Sequence, residues 1–321
     1  MSEAAFDIAH YAGLGTRDAY GKALLEVGRR NERVVLLGAD CIGSVRGATF
    51  AGEFPQRTIN FGIAEQNMVA AAAGLALSGK VPIVSTYAFL MSLRACEFVR
   101  DDVAYANTNV KLVATAAGFS FSSGGSTHHA LEDVGILRTM ANLTIVVPAD
   151  GIETAKALPA IVDHVGPVYM RLGRGGEPDV YTQDYEFRIG RAVTLRAGND
   201  VALIAAGNGL RVALQAAEEL AQQGIEARVL NMHTIKPIDR DAVLQAAEET
   251  GGIVTVEEHS IIGGLGSAVA EVTSEECPVP VRRIGVEDVF CGTGTMDQMF
   301  ERVGLTPTNV AQHAWALCGG R

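Results

Sequence analysis

Asn60-Phe61-Gly62-Ile63-Ala64-Glu65-Gln66-Asn67-Met68 runs straight into Val69-Ala70-Ala71-Ala72-Ala73-Gly74-Leu75-Ala76. A carboxylate opens a helix that is otherwise small and apolar. The helix is expected over residues 64–78, with Gly79 as its stop. It has almost no polar face, so it must be buried by close packing. Val81-Pro82-Ile83-Val84 follows, an apolar run too short for a helix. A strand apolar on both sides belongs in a parallel sheet with helices over both faces. The same alternation extends in both directions. Val34-Val35-Leu36-Leu37 reads as a buried strand, as do residues 110–114, 144–147 and 168–172. Residues 17–29, 94–106 and 152–162 read as helices, with Thr16 able to cap the first. These elements predict an α/β fold.

The rhythm breaks at residues 174–187, which carry Gly175, Gly176, Pro178 and several charges and read as a linker. A second series then begins. Strands are expected at 201–205, 227–230, 252–256 and 281–286, and a closing helix at 306–317. The expected division is residues 1–188, a first parallel-sheet domain with its linker, and 189–321, a second α/β domain. With 321 residues, 48% of them hydrophobic, the chain can build both cores.

A net charge of −11 opposes a phosphate backbone, which excludes nucleic acid as the expected partner. No apolar run approaches the roughly 18 residues of a membrane span. Met1-Ser2-Glu3-Ala4-Ala5-Phe6-Asp7 lacks the basic and apolar regions of a secretory signal. Cys41, Cys96, Cys277, Cys291 and Cys318 are scattered, without a close pair. Free thiols packed in a cytoplasmic protein are the expectation.

A lone Glu65 would simply complement the helix dipole. The motifs around it change that reading. Gly38-Ala39-Asp40, Gly62-Ile63-Ala64-Glu65-Gln66-Asn67, Ser85-Thr86-Tyr87 and Thr127-His128-His129-Ala130-Leu131-Glu132-Asp133 are joined by Val147-Pro148-Ala149-Asp150 and Gly166-Pro167-Val168-Tyr169-Met170-Arg171-Leu172. Val256-Glu257-Glu258-His259, Gly263-Gly264-Leu265-Gly266 and Arg283-Ile284-Gly285-Val286 follow. In this order, from about residue 14 onward, the chain resembles the pyrimidine-binding and C-terminal domains of transketolases.

The resemblance implies a thiamine-diphosphate enzyme that transfers a two-carbon ketol unit. Glu65 becomes the carboxylate that hydrogen-bonds N1′ of the cofactor's aminopyrimidine and promotes the tautomer that takes the thiazolium C2 proton. An apolar setting favours such proton sharing. Tyr87 is implied to stack on the pyrimidine, with Asp40 and Leu90 completing the cofactor pocket. Leu90 and Leu93 stand where familiar transketolases often carry aromatics. His128 is implied to hydrogen-bond the reacting oxygen, while His129 falls where the family often has Gln. Arg17, Ser44 and Arg174 are implied to hold an anionic sugar tail. Two departures stand out. A substrate-contacting His of the family corresponds to Ala116, and an Asp before the catalytic His corresponds to Gly124. Lost hydroxyl contacts imply a non-standard donor sugar.

No Gly-Asp-Gly motif for the cofactor's metal and diphosphate occurs. Gly263-Gly264-Leu265-Gly266 could receive an anion at a helix start, although tight packing explains it better. The expectation is therefore a separate N-terminal, diphosphate-binding subunit that holds the divalent metal, expected to be Mg2+, in an α2β2 assembly. A deoxyxylulose-phosphate-synthase-like or 2-oxoacid-dehydrogenase beta-type enzyme stays open as an alternative. So does a catalytically silent partner subunit.

Overall fold

The computed structural model describes residues 7–319; the Met1–Phe6 part of the stretch read for a leader lies outside them. Among the described residues, twelve strands form two sheets. In the first lie β1 (Val34–Gly38), β2 (Thr58–Asn60), β3 (Val81–Tyr87), β4 (Lys111–Thr115), β5 (Thr144–Val146) and β6 (Val168–Arg171). The second contains β7 (Val193–Arg196), β8 (Val201–Ala205) and β9 (Ala227–Asn231). Then β10 (Thr234–Lys236) returns to the first sheet, and β11 (Ile253–Ser260) and β12 (Val281–Val286) complete the second.

The first sheet has the order β10-β5-β6-β4-β3-β1-β2, parallel except for β10. Its central strands are buried on both faces. Val34 and Leu36 enter one apolar cluster, and Val35 and Leu37 enter the other. This is the alternation that a continuous apolar run produces inside a covered sheet. Each fully buried Leu or Val contributes about 1.5–3 kcal/mol relative to exposure. The second sheet runs β12-β11-β8-β9-β7, with β7 as its antiparallel edge. Two mostly parallel sheets with helices confirm the α/β class.

The Glu65–Leu77 helix forms close to its expected bounds but is buried on one side only, with Gly74 and Leu77 exposed. Gly62 turns the chain at φ +68, and Gly79 ends the helix at φ +85. Met68, Val69, Ala72 and Ala73 are its buried face. Thr16 does not cap the first helix, Thr16–Arg30. Gly15 takes that position, and the Glu177 carboxylate accepts from the Thr16 N–H at 2.8 Å. The helix expected at 94–106 starts earlier and is unevenly wound, with π-helical turns at Leu90–Arg94 and Val99–Tyr105 around Cys96–Phe98.

The segment read as a linker is irregular but anchored. Asp150 accepts from the Val180 and Tyr181 N–H groups at 2.8 and 2.9 Å. Buried Glu153 accepts from the Tyr185 hydroxyl at 2.6 Å and from Asn231 of the second domain at 2.8 Å. The segment is therefore strapped across the seam between the sheets.

Candidate active site

Parallel α/β sheets place the ends of their strands, and the starts of the helices that follow, at one edge, where loops are free to build a site. In the first sheet β1 leads towards β2 on one side, while β3 beside it leads towards β4 on the other. The crevice outside this reversal is where the sequence-assigned residues gather. Asp40 lies two residues past β1, Glu65 five past β2, Tyr87 ends β3, His128 follows β4 and Arg174 follows β6.

Glu65 is 1% exposed at the first turn of its helix. Arg94 Nη1 donates to its two carboxylate oxygens at 3.3 and 3.2 Å. The sequence reading missed Arg94. The π-helical turn Leu90–Arg94, which follows β3, delivers it, and no local pattern signals a contact spanning 29 residues. Leu90 is half-buried at the start of the same turn. Asp40 is exposed and adopts φ +56. Its N–H donates to Asn60 Oδ1 at 2.9 Å, and the Gly62 N–H donates to the same oxygen at 3.1 Å. Asn60 thereby ties the turn after β1 to the approach to Glu65.

Tyr87 belongs to an aromatic cluster. It stacks on Phe89 at 5.8 Å and meets Phe121 edge-on at 6.1 Å. The His128 ring sits between Phe89, at 5.0 Å, and Phe121, at 4.9 Å. Its Nδ1 pairs with Thr127 Oγ1 at 3.0 Å. Neither Phe89 nor Phe121 was singled out from the sequence, although Phe89 lies two residues from Tyr87. His129 points away from this cluster of rings, buried against Phe119 at 5.1 Å, and burial lowers its pKa.

The loop bearing His128 is closed at its base by a bridge between Gly118 and Ala130. The second domain holds its top. Ser122 Oγ donates to the Gly294 carbonyl at 2.7 Å, Ser126 Oγ donates to the Cys291 carbonyl, and the Phe119 N–H donates to Glu258 at 2.5 Å. Gly124 explains one departure from the family pattern. A Cβ there would lie 2.7 Å from His128 Cγ, so the histidine occupies the space a side chain would need. Ala116 is buried at φ +58, an uncommon conformation for a residue with a Cβ.

Arg17, Ser44 and Arg174 also come together. Arg17 Nη1 donates to the Ser44 carbonyl at 3.2 Å, so Ser44 meets Arg17 through its backbone. Burial first, then the nearby Arg46, lowers the Arg17 pKa, and Arg174 adds to the effect. The Arg17 Nε is buried without a hydrogen-bond partner. Crowded guanidiniums and an orphaned donor suit an anion. The Arg174 guanidinium sits over Phe121, with Cζ 3.8 Å from the ring centre.

The chain matches the pyrimidine-binding domain of transketolase over residues 12–177 and the transketolase C-terminal domain over residues 190–310. The chain belongs to the transketolase family. It is 44% identical to a 6-deoxy-6-sulfo-D-fructose transketolase subunit of Clostridium sp. (strain MSTE9), over 93% of this chain and 92% of that one. It is 43% identical to an apulose-4-phosphate transketolase subunit of Phocaeicola vulgatus, over 94% and 96%. A solved split-gene transketolase, described as an inactive beta4 tetramer, matches with a TM-score of 0.87. Its identity is 43%, over 96% of this chain and 99% of that one. The Campylobacter jejuni transketolase shares the fold, with a TM-score of 0.80 at 22% identity over 97% of this chain and 49% of that one.

Thiamine diphosphate is the cofactor of this transketolase family. A buried carboxylate at a helix start beside a half-buried tyrosine face fits its planar pyrimidine. The glycine-rich Gly263–Gly266 turn does not fit its diphosphate. Glu257 already accepts from the Leu265 and Gly266 N–H groups at 2.7 and 2.8 Å. A Cβ on Gly264 would lie 2.0 Å from that carboxylate. Tight packing is the reason for these glycines, and the acceptor at this helix start is the chain's own Glu257.

Proposed function

We propose that the chain is the C-terminal, pyrimidine-binding subunit of a two-component transketolase that moves a two-carbon ketol unit from a ketose to an aldose. The convergence of Glu65, Tyr87, His128, Arg17 and Arg174 on one sheet edge carries this reading. Bound thiamine diphosphate supplies the electron sink for the reacting carbonyl carbon. Glu65 holds a proton against the pyrimidine ring, with Tyr87, Leu90 and Asp40 shaping that half of the pocket. His128 donates to the reacting oxygen as charge develops on it. Arg17 and Arg174, with Ser44, hold the anionic tail. A separate N-terminal subunit supplies the diphosphate site and Mg2+, in an α2β2 assembly in the cytoplasm. The domain division near residue 188 belongs to the same proposal.

Relatives named for a sulfonated and a phosphorylated sugar, together with Ala116 and Gly124, favour a non-standard anionic ketose as donor. The test is reconstitution with the diphosphate-domain subunit. Glu65→Ala is expected to assemble normally and lose at least a thousandfold in turnover. Normal turnover by that variant would remove Glu65 from the chemistry. In a donor panel, xylulose 5-phosphate emerging as the best substrate would refute the non-standard donor.

A further inference from the structure

Phe121 is the point where the two functions of the site touch. One contact is the Arg174 guanidinium, 3.8 Å above its ring centre. Another is the His128 ring, 4.9 Å away and inclined at 68°. Phe89 closes the other side of the histidine at 5.0 Å. Tyr87, on the cofactor side, meets Phe121 at 6.1 Å.

We propose that Phe121 is a positioning and specificity-determining residue that ties the anion-binding Arg174 to the orientation of His128. A guanidinium held over an aromatic face is attracted to that face while its N–H donors remain able to reach an anion. Among the described residues no carboxylate forms an ion pair with Arg174, so the ring face is what orients it. An anionic tail that engages Arg174 presses it onto Phe121, and Phe121 in turn fixes the face that His128 packs against. Gly124 completes the device, because any side chain there would displace His128 from Phe121. The tail's charge thereby improves placement of the proton donor as well as binding. This rests on the ketol-transfer reading above, in which Arg174 meets the tail and His128 the reacting oxygen.

The test uses the chain reconstituted with its diphosphate-domain subunit, thiamine diphosphate and Mg2+. One ketose donor is offered with and without its terminal phosphate. The wild-type complex is expected to favour the phosphorylated form in kcat/KM. Phe121→Leu is expected to erase at least tenfold of that preference, with KM rising for the phosphorylated donor only and kcat falling further for that donor than for the unphosphorylated one. Phe121→Tyr, which keeps the ring face, is expected to retain the preference. In an Arg174→Gln background, Phe121→Leu is expected to reduce the preference no further. Melting temperatures within a few degrees of wild type establish that the variants fold. Equal losses for both donors with the preference intact, or failure of Phe121→Tyr to rescue it, would overturn the proposal. Absence of transfer by the wild-type complex with any donor would remove the ketol-transfer reading itself.

Discussion

Glu65 and Arg94 form an unequal pair. The carboxylate side chain is 2% exposed and the guanidinium 46%. Removing one member of a fully buried pair costs about 3–5 kcal/mol, because the other charge is left without a counter-ion. Water reaches Arg94, so a smaller penalty of about 1–2 kcal/mol is expected here. Arg94→Gln should therefore lower the urea midpoint of the isolated subunit. Adding Glu65→Gln to it should recover part of the loss, since no uncompensated charge remains. Identical midpoints for Arg94→Gln and wild type would show that the pair contributes nothing to stability. The arginine also has a consequence for function. A pyrimidine nitrogen approaching Glu65 must share the carboxylate with Arg94 or displace it.

The start of the Leu265–Glu276 helix is occupied by the chain's own Glu257, and this can be tested at one glycine. Gly264 has φ −84, outside the left-handed region that favours glycine, so the penalty argued here is one of space. Its Cβ would lie 2.0 Å from Glu257 Oε2 and 2.6 Å from His259 Nδ1. Gly264→Ala must push Glu257 off the Leu265 and Gly266 N–H groups, at a cost of about 2–4 kcal/mol. Denaturant unfolding within 0.5 kcal/mol of wild type, a difference that is roughly the scale of a neutral surface change, would contradict this account. The element scale also shows what the sequence could reveal. Buried strands such as β1 and β8 were readable because apolar β-branched residues leave no other way to be buried. Short strands were not: Thr58-Ile59-Asn60 and Thr234-Ile235-Lys236 are too brief to show a period. Nor could the chain's local pattern show that β10 crosses back to β5. Val193–Arg196 alternates with period two and was open to detection. At the site, Asp40, Tyr87 and His128 were named through the family resemblance: the structure puts Asp40 and Tyr87 at strand ends and His128 on the loop between Gly118 and Ala130. Phe121, like Arg94, acts through contacts between distant loops, and neither position has a local signature.

At the scale of the whole molecule, the seam between the sheets is an ionic network. Asp133 accepts from Arg171 at 2.8 Å and from Tyr169 at 2.6 Å. Arg171 also donates to the Glu258 carbonyl at 3.0 Å. The Glu258 side chain accepts from the Phe119 N–H at 2.5 Å and from Asn208 at 2.7 Å, joining the loop that bears His128 to the second sheet. Burial pushes the Glu258 pKa from 4.5 up to about 7, against the pull of Arg171. Between those values the folded state holds a proton that the unfolded state releases. Stability contributed by the neutral carboxyl is thus complete below pH 4.5 and lost as pH rises to about 7. His259 acts in the opposite sense. Burial lowers it from 6.5 to about 4, so folding gains as pH rises through that interval. Wild-type stability alone would show the two partly cancelled, whereas the difference from Glu258→Gln isolates the carboxylate. Any fixed cost of the amide's hydrogen bonds is the same at every pH. Measured from pH 4.5 to 7, Glu258→Gln should gain on wild type by about 2–3 kcal/mol. Parallel stability–pH curves would mean that Glu258 is already charged in the fold at pH 4.5, held so by Arg171, and that the seam does not respond to pH through this residue.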